Sequence, residues 1–183
     1  MPNLLNAQIF SVLSLVSADI VNHGKRCKQT LKASPDKNEM DMPHYIVNIS
    51  EAQTLINPKY ESSVKLLADI IDSMGENFAG VVLSVNSLRG ILFESGSATF
   101  KDPYVTAVQR IFGLMQYRVF AQTDDTSVPL LANALSGSMN QSELETLPRL
   151  RKGQLFMNIS SVGNIVFNQQ LLAPEIERYG GLQ

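Results

Sequence analysis

A carboxylate at the end of a short apolar strand can polarise a water molecule for attack on a phosphoryl group, and Glu51 occupies such a place. His44-Tyr45-Ile46-Val47-Asn48-Ile49 reads as a short buried strand, and Ser50-Glu51-Ala52-Gln53 as the turn that leaves it. Two further strand-like runs end in polar residues, at Asn86-Ser87 and at Gln122-Thr123-Asp124-Asp125. In an open α/β sheet, functional residues gather where strands end and loops begin. Three neighbouring polar strand ends therefore have the layout of a nucleotide-hydrolysis site, although polar residues are also how strands ordinarily stop. No stretch of the 183 residues fits G-x-x-x-x-G-K-[ST], so the loop that cradles phosphates is missing.

Other chemistries are poorly supplied. The single cysteine, Cys27, has no partner for an internal disulfide and no spaced ligands for zinc, which points to a reducing cytosolic setting and to no metal site. His23 and His44 lie in different elements without a Ser or Cys nucleophile signature, so structural or surface roles fit them better than catalysis. Basic and acidic residues balance, 15 against 17, and nucleic-acid binding is unsupported by charge. The one basic run, Lys25-Arg26-Cys27-Lys28-Gln29-Thr30-Leu31-Lys32, reads first as a solvated helix face, with nucleic acid or a neighbouring subunit as the less favoured partner. The phenylalanines sit on core faces rather than between basic residues, against a stacking platform for single strands.

The elements that must position Glu51 can be read from periodicity. At 183 residues and 44% hydrophobic composition, the chain is sized for one domain over residues 1–183. Leu5, Ile9, Phe10, Leu13, Val16, Ile20 and Val21 predict a helix over about residues 4–22, stopped by Gly24, with a stripe that wants a sheet to lie on. The apolar part of this helix, Ile9 to Val21, falls short of the roughly 20 residues of a membrane span and lacks a signal-peptide pattern.

Val64, Leu67, Ala68, Ile71 and Met74 predict a second helix closed by Gly75. The continuous apolar run from Ala79 predicts a central strand covered on both faces. A loop over 94–101, a helix from Pro103 to Met115 and a strand over Tyr117–Ala121 follow. Val128, Leu131 and Leu135 predict a helix stopped by Gly137; Asn140 to Glu143 has capping-box form before another that ends near Gly153. Strands at Gln154–Ile159 and Asn164–Phe167, joined by a turn-rich link, predict an antiparallel hairpin, and Pro174 opens a last helix. The fold class is α/β: a mostly parallel central sheet with helices on both faces and an antiparallel edge hairpin.

The run Tyr45 to Ala52, the apolar strand ending at Asn86, Tyr117-Arg118-Val119-Phe120, Leu147-Pro148-Arg149-Leu150-Arg151-Lys152-Gly153-Gln154-Leu155-Phe156 and Pro174-Glu175-Ile176-Glu177 follow one another in an order that resembles the carboxyl-terminal part of the ATPase domain in conjugative type IV secretion ATPases. The resemblance covers nearly the whole chain, mostly at hydrophobic positions. It implies a partial RecA-like P-loop NTPase fold, part of a longer ATPase whose remainder supplies the phosphate loop, ATP and Mg. In that family, hexameric rings of such subunits couple ATP hydrolysis to pilus assembly or to DNA and protein transfer. The implied setting is cytoplasmic, at the inner face of the membrane through other secretion-channel proteins.

Carried over by position, Glu51 takes the place of the Walker B glutamate and Asn86 that of the residue sensing the terminal phosphate. Arg118, or Arg149 or Arg151, takes the place of an arginine acting on a neighbour's ATP, although for Arg149 and Arg151 a solvated helix end is the favoured reading. Ser50 and Gln122 complete the nucleotide-facing strand ends. Two departures stand out: Ser50 replaces the family's Asp that helps hold magnesium, and Asn86 replaces a Gln. With no phosphate loop, this chain alone is expected to bind no nucleotide tightly and to hydrolyse none. The alternative is a degenerate, non-hydrolysing scaffold that acts in ring assembly or partner docking, for which Ser50 speaks.

Overall fold

Gly24 does not stop the first helix. In the computed structural model, which describes residues 2–88, 90–91, 102–135, 139–170 and 172–174, α1 runs unbroken over Pro2–Ala33. The glycine serves a close approach instead: a Cβ there would lie 2.8 Å from the Cα of Asn77, in the 3-10 turn Gly75–Asn77. The correction extends to the membrane reading, because α1 is by length and composition long enough and apolar enough to cross a membrane. Its serines do not interrupt it; Ser14 Oγ donates to the Phe10 carbonyl, 2.8 Å away, and stays within the helix.

The chain divides into two compact units, Met1–Leu114 and Met115–Gln183. In the first, α2 (Glu61–Met74) is the centre of the core. Val64, Leu67, Ala68, Ile70, Ile71 and Met74 are all buried, more than one stripe can supply, because α2 packs against both α1 and α3 (Pro103–Leu114). Ser63 Oγ donates to Asn6 Oδ1 of α1 at 2.8 Å, and Arg110 of α3 forks onto Asp69 and Asp72 of α2. The main packing partners of α1 are thus α2 and the turn Gly75–Asn77, in place of the sheet its stripe suggests.

Strands β1 (Tyr45–Ile49) and β2 (Ala79–Leu83) pair in parallel, Ile49 opposite Leu83. They make a sheet of two, so β1 is more exposed than its apolar run suggests and Val82 is about half exposed. The entry to β1 is fixed from α1: His23 Nε2 donates to the Pro43 carbonyl at 2.8 Å, and its ring stacks on Tyr45 with centroids 3.9 Å apart. Cys27, Met42 and Phe78 pack into a cluster beside it. His23 and Cys27 are packing residues, in line with the structural role expected for the histidine.

In the second unit, β3 (Tyr117–Phe120), β4 (Gln154–Ile159) and β5 (Gly163–Asn168) form an antiparallel sheet in the order β3-β4-β5. The expected hairpin is present, its link carrying Ser161 at φ 64. One face of this sheet carries buried Phe120 and Phe156, with ring centroids 6.4 Å apart. The opposite face carries Tyr117, Val119 and Ile165, each more than half exposed. The parallel pair and the antiparallel hairpin of the α/β reading are thus both present, in two sheets. Helices α4 (Val128–Ala134) and α5 (Gln141–Thr146) lie between β3 and β4 in the chain. Gly137, the 94–101 loop and the helix after Pro174 lie outside the described residues, apart from Pro174 itself.

With six residues, α5 is too short to stand on propensity, and its capping box carries it. Asn140 Oδ1 accepts from the Glu143 amide at 2.9 Å, and Glu143 Oε2 accepts from the Asn140 amide at 2.8 Å. Asn140→Ala is expected to lower stability by about 1 kcal/mol and Asn140→Asp by much less. Urea midpoints of the three proteins check this, and equal midpoints would show that the cap contributes nothing.

Candidate functional site

Parallel pairing puts the carboxyl ends of β1 and β2 side by side, and the backbone stitches them together beyond the strands. Ser84 N donates to the Ile49 carbonyl at 3.0 Å, and Ala52 N donates to the Ser84 carbonyl at 2.9 Å. Ser50 and Glu51 turn between these bonds. Glu51 adopts φ 53, ψ 44, a left-handed conformation that costs a non-glycine residue about 1–2 kcal/mol. Ser50 and Glu51 are both exposed, and no hydrogen bond or ion pair engages the Glu51 carboxylate among the described residues. Phe78 and Ser161 share this left-handed conformation, at φ 57 and φ 64.

Asn86 leaves β2 at the same end. Its backbone amide donates to Gln53 Oε1 at 3.3 Å, so Gln53 ties the Asn86 loop to the Glu51 turn. Sequence reasoning missed Gln53, because only the pairing of the two strands brings residues 53 and 86 together. Ser50, Glu51 and Asn86 share one sheet end, whereas Gln122, expected at a third neighbouring strand end, follows β3 of the other sheet.

The second unit holds the remaining predicted residues. Arg118 lies within β3, half-buried, and donates through Nη1 to Asn158 Oδ1 directly opposite on β4. Burial pulls its pKa below the ordinary arginine value, yet a guanidinium remains charged at any working pH. Gln122 follows the end of β3, and its Nε2 donates to the Pro148 carbonyl at 3.1 Å, so its amide already holds the turn before β4. Asp124 accepts from the Thr126 and Ser127 hydroxyls of the turn Asp125–Ser127 that follows it. Arg149 and Arg151 are exposed in the segment leading to β4. Thr123 Oγ1 is buried without a hydrogen-bond partner among the described residues.

Compared with known proteins, the chain matches no family model. It is 26% identical over 183 residues to the uncharacterized protein pXO2-09 of Bacillus anthracis, an alignment that takes in 99% of this chain and 27% of that protein. Among solved structures it is similar to VirB4 of Thermoanaerobacter pseudethanolicus, with a TM-score of 0.62 at 14% identity. The fold is similar to that of VirB4. The likeness extends over 97% of this chain and 40% of the VirB4 chain. The chain thus spans about a quarter of its curated relative and two fifths of its structural neighbour.

The described residues contain no cluster of three or more His, Cys, Asp or Glu able to hold a metal ion, and Ser50 offers a neutral hydroxyl where a carboxylate would supply charge. What the sheet end can do is narrower: Glu51 presents an unengaged carboxylate, which can orient a water and accept its proton.

Proposed function

We propose that this chain is part of a conjugative-transfer, type IV secretion ATPase, in which Glu51 activates the water that attacks ATP. The observation that carries the reading is the shared sheet end: Glu51 strained and unengaged, with Asn86 tied beside it through Gln53, in a fold similar to VirB4. In this reading Asn86 senses the terminal phosphate, and Ser50 and Gln122 are polar residues at the nucleotide-facing strand ends. Arg118 stabilises charge on a neighbouring subunit's ATP in a homo-oligomeric ring. The phosphate loop, magnesium and the other secretion-channel proteins belong to the full-length protein and its assembly, at the cytoplasmic face of the membrane.

Calorimetry with Mg·ATP tests the division of labour. The isolated chain is expected to show no binding tighter than about 100 μM, roughly 5.5 kcal/mol, and the full-length protein is expected to bind and hydrolyse. Tight binding by the isolated chain would mean that it carries a phosphate site of its own. Ser50 favours a second reading, a non-hydrolysing scaffold, because it withdraws a charge that magnesium would need. Binding without turnover in the full-length protein would establish that alternative.

A further inference from the structure

We propose that the bare face of the β3-β4-β5 sheet is the docking surface for one amphipathic helix supplied by the rest of the longer protein. The inference rests on the reading of the chain as part of such a protein.

The strand register sorts the side chains of this sheet onto two faces. Val119, Met157 and Ile165 stand opposite one another in the middle row of one face, with Ile159 in the row on one side and Leu155 beside Phe167 in the row on the other. Tyr117 completes this face, and its hydroxyl is the face's one side-chain oxygen or nitrogen. None of these residues is buried, and Tyr117, Val119 and Ile165 are 58%, 52% and 51% exposed. The other face carries the polar row Arg118, Asn158 and Asn164, yet the buried residues of the sheet, Phe120, Phe156 and Asn158, are all on it. An antiparallel sheet with one face in water ordinarily turns its polar face outward. This sheet does the reverse, and a contiguous apolar face without a charge on it is a surface that a partner covers.

Size selects the cover. Strands up to six residues long and about 4.8 Å apart make a face of roughly 14 by 20 Å. Even doubled for the relief of the side chains, that area stays below the roughly 800 Å² that each partner of a stable dimer buries, so a second copy has too little here to hold it. A helix about 10 Å across runs the length of the face in about 13 residues, and one such helix with an aliphatic stripe fills it. Supplied by the same polypeptide, the helix avoids the entropy cost of association that so small a surface cannot offset. The chain spans 27% of its curated relative and 40% of its structural neighbour, so both of those proteins carry further chain from which such a segment can come.

The test is labelling by N-ethylmaleimide of Val119→Cys and Ile165→Cys in the full-length protein, free of lipid, read by mass spectrometry on the peptide that carries the substitution and referred to the rate in urea. Val162→Cys, in the β4–β5 link at a position 80% exposed, is the control and is expected to label at close to the unfolded rate throughout. The two face variants are expected to label at least about 100-fold more slowly than when unfolded in the full-length protein, at every protein concentration, and less than about tenfold more slowly in this chain alone. Fast labelling of the face in the full-length protein would overturn the proposal. So would protection that disappears on dilution, which would make the cover a second copy or another protein, and so would equal protection in the isolated chain, which would put the cover within these 183 residues. A natural protein no longer than this chain would sink the reading of it as part of an ATPase first, and this inference with it. Labelling does not depend on ATP turnover, so failure of the catalytic reading and failure of this one are read separately.

Discussion

Glu51→Gln in the full-length protein is expected to lower kcat for ATP hydrolysis by about 10²–10³-fold with KM nearly unchanged. Glutamine keeps the length and shape of the side chain and takes away only the proton acceptor. The structure supplies the control that separates this from a folding defect. At φ 53, ψ 44, Glu51 occupies a conformation in which glycine carries no Cβ penalty. Glu51→Gly is therefore expected to raise stability by about 1 kcal/mol, measurable by urea unfolding of this chain, while turnover of the full-length protein falls as far as in Glu51→Gln. Opposite signs of the two effects are the signature of a residue kept for chemistry at the expense of local strain. Unchanged hydrolysis in Glu51→Gln would remove Glu51 from the mechanism. Loss of both stability and turnover in Glu51→Gly would reduce the residue to a structural one.

What could be read from the sequence was local. The α5 capping box and the β4–β5 hairpin were legible because a few adjacent residues decide them, Asn140 with Glu143 and the link around Ser161. The shared end of β1 and β2 was legible as well, since two apolar runs each followed by polar residues define it. Gly24 was misread because a glycine that ends a helix and one that admits a neighbour look the same in one dimension. Gln53 and Asn158 were illegible for the same reason: their partners lie 33 and 40 residues away and meet them only through strand register. The burial of β1 was overestimated, since an apolar run reports what a strand prefers and the number of strands beside it decides what it gets.

Gly24→Leu is expected to destabilise the first unit by about 3 kcal/mol and Gly24→Ala by about 1–2 kcal/mol, although both replacements favour a helix by nearly 1 kcal/mol over glycine. A Cβ on residue 24 would overlap Asn77 Oδ1 and lie 2.8 Å from the Asn77 main chain at its Cα. The side chain of Asn77 cannot simply swing aside, because its Nδ2 donates to the Ser73 carbonyl at 2.8 Å, and the main chain of the turn has no rotamer to change. Relief requires α1 to move. Val16 and Ile20 of α1 line an open groove of about 430 Å³ with Tyr45, Ile46 and Val47 of β1. Gly75 is the matched control in the same turn as Asn77, with open space around any methyl added there and an ordinary helical φ of −56. Gly75→Ala is expected to be neutral or to stabilise by up to about 1 kcal/mol. Thermal and urea unfolding of the three variants beside the parent chain decide the matter. If Gly24→Ala and Gly75→Ala shift the midpoint in the same upward direction, the close approach of α1 to Asn77 does not hold the first unit together. If they diverge as expected, Gly24 is the residue that lets α1 seat against the turn Gly75–Asn77.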